Sequence, residues 1–205
     1  MTCASEISWK MRTMMRTRRF YNDAEMVLFF KTHILSYLEY RTPAIYHATV
    51  TTLRPVDRIL PSFLRSLGMS DIGALVHFHL APLHTRRDIA MLGVIHRAVL
   101  GQGPPHFQAF FVQTSIRNRT RRQVHTKQLV DPRDSHHHLC ILARSAFGLI
   151  RVYNLLPQYI VDHLSVRSFQ KALQDLVREF ALNGVRDWAR TLSPCTPLSG
   201  HPLLS

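Results

Sequence analysis

The run RNRTRRQVHTK at 117–127 gathers Arg117, Arg119, Arg121, Arg122 and Lys127 with no acid among them. Such a segment can neutralise several phosphates and release their counterions, which makes binding strongly salt-dependent. It contains no aromatic residue, so it predicts contact with a nucleic-acid backbone and no readout of base sequence. Phe110 and Phe111 lie just upstream. They read either as core residues or as a stacking face. A second pair of cations, Arg86 and Arg87 in TRRDIAML, is expected in the first turn of a helix. Cations there oppose the helix dipole. That cost leaves two uses: holding a phosphate beside the outward-pointing N–H groups, or an ion pair to Asp88 or another acid.

Other chemistries find no pattern. His136, His137 and His138 are adjacent, followed by Cys140. Neighbouring histidines on one loop do not converge easily on one ion, and Cys195 stands 55 residues beyond Cys140. No Cys/His spacing matches a zinc site, so neither a metal nor a cofactor is expected. Nucleophilic catalysis would need an elbow of the Gly-x-Ser-x-Gly kind, and phosphate cradling a glycine-rich loop; the chain has neither. GQGPP at 101–105 ends a helix and does not open one. The stretch VYNLLPQYIVDHLSVRSFQKAL at 152–173 reads as structural. Asn154, Leu156 and Pro157 build a turn, Ser165 starts the next helix, and Tyr153 packs on Phe169 across it. No catalytic residue is assigned.

The elements that must position these residues are helical. Asn22 or Asp23 caps a helix over about 23–41, with Val27, Phe30, Ile34 and Leu38 as its buried stripe. Pro43 interrupts it. A second helix is expected over 55–67, with Pro55 first, a kink at Pro61 and Gly68 closing it. Ser70 caps DIGALVHF. Thr85 and Asp88 approximate a capping box opening a helix over 86–100, lined by Ile89, Leu92, Ile95 and Val99. A short helix carries HFQAFF, and residues 112–135 read as a long exposed loop with a marginal hairpin. The chain turns apolar again from Leu139 to Ile150. The last helix, 166–182, turns Phe169, Leu173, Leu176, Val177 and Phe180 inward and ends at Asn183-Gly184. The fold class is therefore mostly α: an irregular helical domain of about five to seven helices over 22–190, with a long basic loop. A basic disordered tail is expected over 1–21, and a second disordered tail over 191–205.

Composition agrees. Of 205 residues 46% are hydrophobic, enough for a core, while 26 Lys and Arg face 13 Asp and Glu. Only four of the cations are lysines, and Arg is the residue that forks onto phosphate. This balance favours a polyanion as partner, RNA or DNA, over any small-molecule substrate; the competing explanation is a coding bias toward Arg. The three cysteines, Cys3, Cys140 and Cys195, form no disulfide framework, so an intracellular, nuclear or cytoplasmic location is expected. No apolar run reaches about 18 residues, so no membrane association is expected. The first twenty residues, with Lys10, Arg12, Arg16, Arg18 and Arg19, are read as a basic tail that also resembles a weak organellar transit signal.

Four segments occur in order: SYLEYRTPAIYHA (36–48), PVDRILPSFLRSLGMS (55–70), LAPLHTRRDIAMLGVIHRAVLGQGPPHFQAFF (80–111) and FGLIRVYNLLPQYIVDHLSVRSFQKAL (147–173). Together they resemble the region C-terminal to the polymerase core in non-LTR (LINE-type) retrotransposon reverse-transcriptase polyproteins, over about residues 30–182. An aromatic-Asn-x-Leu-Pro box followed by a Val-x-x-Phe helix recurs there; the family usually has Trp where this chain has Tyr153. The resemblance implies a place beside the polymerase thumb, contact with template RNA or target DNA, and a reverse-transcriptase core as a partner in trans. It does not imply polymerase activity. The aspartates, Asp57, Asp88, Asp131, Asp134 and Asp162 among them, are scattered, whereas phosphoryl transfer by two metals needs paired carboxylates.

The expectation is thus a detached, non-catalytic, non-specific nucleic-acid-binding segment. The alternative is a helical remnant, or a protein-interaction module, with no nucleic-acid role. A third reading is an enzyme fragment completed by another chain, with a reading frame extending upstream into a polymerase core.

Overall fold

The computed structural model describes residues 3–114, 124–132, 145–197 and 199–204. They are mostly helical, as expected, and their one β feature is an isolated antiparallel bridge between Gln113 and Leu129. The chain divides into two compact units, one ending at Arg87 and one beginning at Asp88.

The first unit opens with α1 (Cys3–Arg16), where a disordered tail was expected. Its arginines suggested a tail, but Ile7, Met11, Met14 and Met15 recur at helical spacing beneath them. Ile7 is fully buried, and the three methionines pack on the core around it. The helix expected over 23–41 is built from α2 (Asp23–Phe29), a π-helical stretch (Phe30–Leu35) and α3 (Ser36–Tyr40). Asn22 caps it in a complete capping box with Glu25. Phe30 stacks on Phe63 with ring centroids 4.3 Å apart.

A short α4 (Thr42–Ile45) carries Pro43 in its first turn. The single helix expected over 55–67 is instead two, α5 (Val50–Asp57) and α6 (Ile59–Leu67), and Pro55 lies inside α5. Pro61 explains the break. A proline ring clashes with the carbonyl four residues back and offers no N–H to it; that carbonyl belongs to Asp57, where α5 stops. Thr49, not Pro55, starts α5, accepting the Thr52 N–H. Gly68, at φ +72°, takes the left-handed turn after α6. Ser70 caps α7 (Asp71–Phe78) through the Gly73 N–H at 3.0 Å.

Next comes α8 (Leu83–Val99), which begins three residues before its expected start. Pro82 offers its carbonyl to the Arg86 N–H at 3.0 Å. Thr85 therefore lies inside the first turn, where it is buried, and not ahead of the helix.

In the second unit, Ile89, Leu92 and Ile95 are buried along α8, as their spacing predicts. Then come α9 (Pro105–Phe110), a 3₁₀ turn (Ala146–Leu149), α10 (Ile150–Leu155), α11 (Gln158–Val161) and α12 (Val166–Leu182). Ser165 caps α12 through the Ser168 N–H, and Gly184, at φ +69°, follows its end. Phe169, Leu173, Leu176 and Val177 are buried as expected, but Ala181 is buried where Phe180 is only half covered.

Two further expectations are corrected. Within 112–135, His125 and Leu129 are buried and not exposed. In the expected C-terminal tail, Thr191, Leu192 and His201 are buried, and Thr196 Oγ1 donates to the Arg190 carbonyl at 2.6 Å. The apolar stretch 139–144 lies outside the described residues.

Candidate nucleic-acid interface

The Tyr-Asn-x-Leu-Pro box is the hub of the second unit. Tyr153 and Asn154 occupy the last turn of α10, Leu156 leaves it in extended conformation, and Pro157 opens α11. Asn154 is thus helical rather than part of the expected turn; the turn is made by Leu156 and Pro157.

Asn154 pairs with the backbone of Leu129. Its Oδ1 accepts the Leu129 N–H and its Nδ2 donates to the Leu129 carbonyl, both at 2.8 Å. Successive peptide groups of an extended chain point to opposite edges. Accordingly the Gln128 carbonyl and the Val130 N–H face the other way, to Thr114 N–H and the Val112 carbonyl at 2.8 and 2.9 Å. Asn154 therefore stands in for a missing third strand. Gln158 extends the seam, accepting the Thr126 N–H at 2.9 Å. In the sequence, residues 117–122 fall between these paired flanks. In the sequence Asn154 reads as a turn-former and Gln158 carries no mark, since neither residue type signals a partner some thirty positions away.

A buried cluster supports the box. His96 Nε2 lies 2.8 Å from the His163 carbonyl, and Nδ1 lies 2.9 Å from the Tyr153 hydroxyl. A carbonyl only accepts, so Nε2 carries the proton and Nδ1 accepts from Tyr153. The same logic fixes His125: Nε2 donates to the Tyr153 carbonyl, and Nδ1 accepts the Lys127 N–H. Phe169 stacks on the His96 ring at 4.0 Å and packs on Tyr153 at 6.1 Å, the contact expected from the sequence. Burial lowers the pKa of both histidines and raises that of the Tyr153 phenol far above its usual range. With Tyr153 and His96 fully buried, the cluster has no face toward a substrate. It holds α8, α10 and α12 together.

The predicted contact residues divide. Arg117, Arg119, Arg121 and Arg122 lie outside the described residues, as do His136, His137, His138 and Cys140. Lys127 is half-buried, and its ammonium donates to the Val161 carbonyl at 2.7 Å. Arg86 and Arg87 are ion-paired, and the acids are Glu39 and Asp57 rather than Asp88. Arg86 Nε meets Glu39 at 2.6 Å. Arg87 forks onto both oxygens of Asp57 at 2.7 and 2.9 Å, with only 9% of its side chain exposed. Of the two aromatics upstream, Phe111 is buried and Phe110 is 57% exposed. Among the described residues no group of three His, Cys, Asp or Glu could hold a metal ion.

No protein-family model, curated protein or solved structure matches the chain.

Proposed function

We propose that this chain is a non-catalytic module that binds RNA or DNA backbones without sequence preference, and that it corresponds to the C-terminal region of a non-LTR retrotransposon reverse transcriptase. A reverse-transcriptase core in trans is its natural protein partner under this reading. The observation that carries it is the paired base of the basic run. Asn154, Gln158 and the Gln113–Leu129 bridge secure both flanks of a segment with four arginines and no acid. Anchored flanks lower the entropy lost when such a segment takes up phosphates. The formal charge of +13 supplies the long-range attraction. With Arg86, Arg87 and Lys127 already engaged, the primary contacts are Arg117, Arg119, Arg121 and Arg122.

The test is a salt titration of binding to a labelled structured RNA, with duplex DNA as competitor. The expected log–log slope corresponds to about four released counterions and falls by about two to three when Arg119, Arg121 and Arg122 become Ala. A flat slope with weak binding would overturn the reading in favour of a helical remnant or protein-interaction module.

A further inference from the structure

The outward face of α1 carries a second set of groups suited to nucleic acid, in the unit that does not contain the basic run. Trp9, Arg12 and Arg16 follow one another at helical spacing and are all exposed, Trp9 to 65%. Just past the helix, Arg19 lies over the ring of Phe20 at 4.7 Å, and Phe20 is 68% exposed. An exposed Trp and an exposed Phe cost solvation when they cover nothing. Here they flank three arginines, and the nearby acid is turned away: Glu6 accepts a hydrogen bond from the Tyr37 hydroxyl. Among the described residues, no carboxylate lies within ion-pairing distance of Arg12, Arg16 or Arg19. Nearby, Lys10 lies over the Tyr37 ring and Arg18 stands 3.9 Å from Asp23.

We infer that Trp9, Arg12, Arg16, Arg19 and Phe20 form a binding surface for single-stranded nucleic acid. The arginines would meet phosphates and the two aromatic rings would stack on unpaired bases. Flat rings beside cations are the groups that single strands offer partners for and duplexes do not, because duplex bases are stacked on one another. Trp9 and Arg16 are about 10 Å apart along the helix, enough for several groups of one strand to be met at once. A lipid surface is the rival for a helix bearing Arg and Trp. Interfacial helices bury an apolar face in the bilayer, and the apolar face of α1, centred on Ile7, is already spent in the core of its own unit.

This inference rests on the nucleic-acid reading above, and its test separates the two. Trp9 and Trp188 are the two tryptophans of the chain, so Trp188→Phe leaves Trp9 as the single indole reporter in the full-length protein. Oligo(U) RNA is expected to quench Trp9 fluorescence on binding, and a duplex of equal charge to do so far less. Replacing Trp9 and Phe20 with Ala is expected to weaken oligo(U) binding at least tenfold while leaving duplex binding within about twofold. Trp9→Phe is expected to restore part of the loss. Changing Arg12, Arg16 and Arg19 to Gln is expected to lower the salt slope by about two. Because all five side chains are on the surface, circular dichroism should not change. If oligo(U) binds but neither quenches Trp9 nor responds to these changes, while the Arg119, Arg121 and Arg122 variant loses binding, this surface is refuted and the general reading stands. If no nucleic acid binds, both fall. If vesicles containing anionic lipid blue-shift Trp9 and RNA does not quench it, the surface belongs to a membrane and the inference is overturned.

Discussion

Replacing Asn154 with Ala probes, with one substitution, the joint between the end of α10 and the segment that flanks the basic run. Asn154 makes two hydrogen bonds of 2.8 Å to Leu129, whose residue is 2% exposed. Truncation leaves a buried N–H and a buried carbonyl without that partner, each costing about 1–3 kcal/mol. Asn154 itself is half-buried, so water can enter and recover part of this. The expected loss is about 2–4 kcal/mol, a sizeable share of the roughly 5–15 kcal/mol that holds a domain together. Urea unfolding would read the global loss, and hydrogen exchange the local one, with the Leu129 amide exchanging faster. Asn154→Asp serves as the control. A carboxylate can accept the Leu129 N–H but has nothing to donate to the Leu129 carbonyl, so at neutral pH it should lose at least as much as Ala. A loss below about 0.5 kcal/mol with unchanged exchange at Leu129 would refute the strand-substitute role.

Two further outcomes follow from the buried charges and rings. His96, His125 and His201 have pKa values lowered chiefly by burial, so below about pH 6.5 the unfolded chain takes up protons that the folded chain refuses. Their stabilisation is complete above that pH and is lost as pH falls from about 6.5 toward the folded values, at up to about 1.4 kcal/mol per pH unit for each histidine. Urea midpoints measured from pH 7.5 to 5 should fall, and a flat profile would contradict the neutral tautomers assigned here. Asp57→Ala strands the Arg87 guanidinium, whose side chain is 9% exposed, and should cost about 3 kcal/mol. Adding Arg87→Met should recover most of it; a double-mutant cycle that shows no coupling would disprove the pair.

Local chemistry was well written in the chain. Ser70, Ser165 and Asn22 cap the helices they precede, and Gly68 and Gly184 end them, because a cap depends on residues three positions away. The α12 stripe Phe169, Leu173, Leu176 and Val177 was legible for the same reason: periodicity is a property of one helix. The N-terminal helix was misread because its arginines dominate the composition, while Ile7 and three methionines, spaced for a helix, carry the packing. Pro61 interrupts the helix as a proline inside it should, but Pro55 lies inside α5 and not at its start, because Thr49 caps that helix.

What the sequence determined by itself is the helical class, the caps and the excess of arginine, all consequences of short-range pattern and composition. Only the tertiary structure decided which polar groups are spent inside the fold. Arg87 turns to Asp57, Lys127 to the Val161 carbonyl, Asn154 to Leu129 and His96 to Tyr153 and His163. Each partner lies some twenty-five to seventy residues away, and no spacing rule spans that distance. A charged or polar side chain is free for a ligand only when folding has not already paired it, and folding assigns those pairs through chain topology.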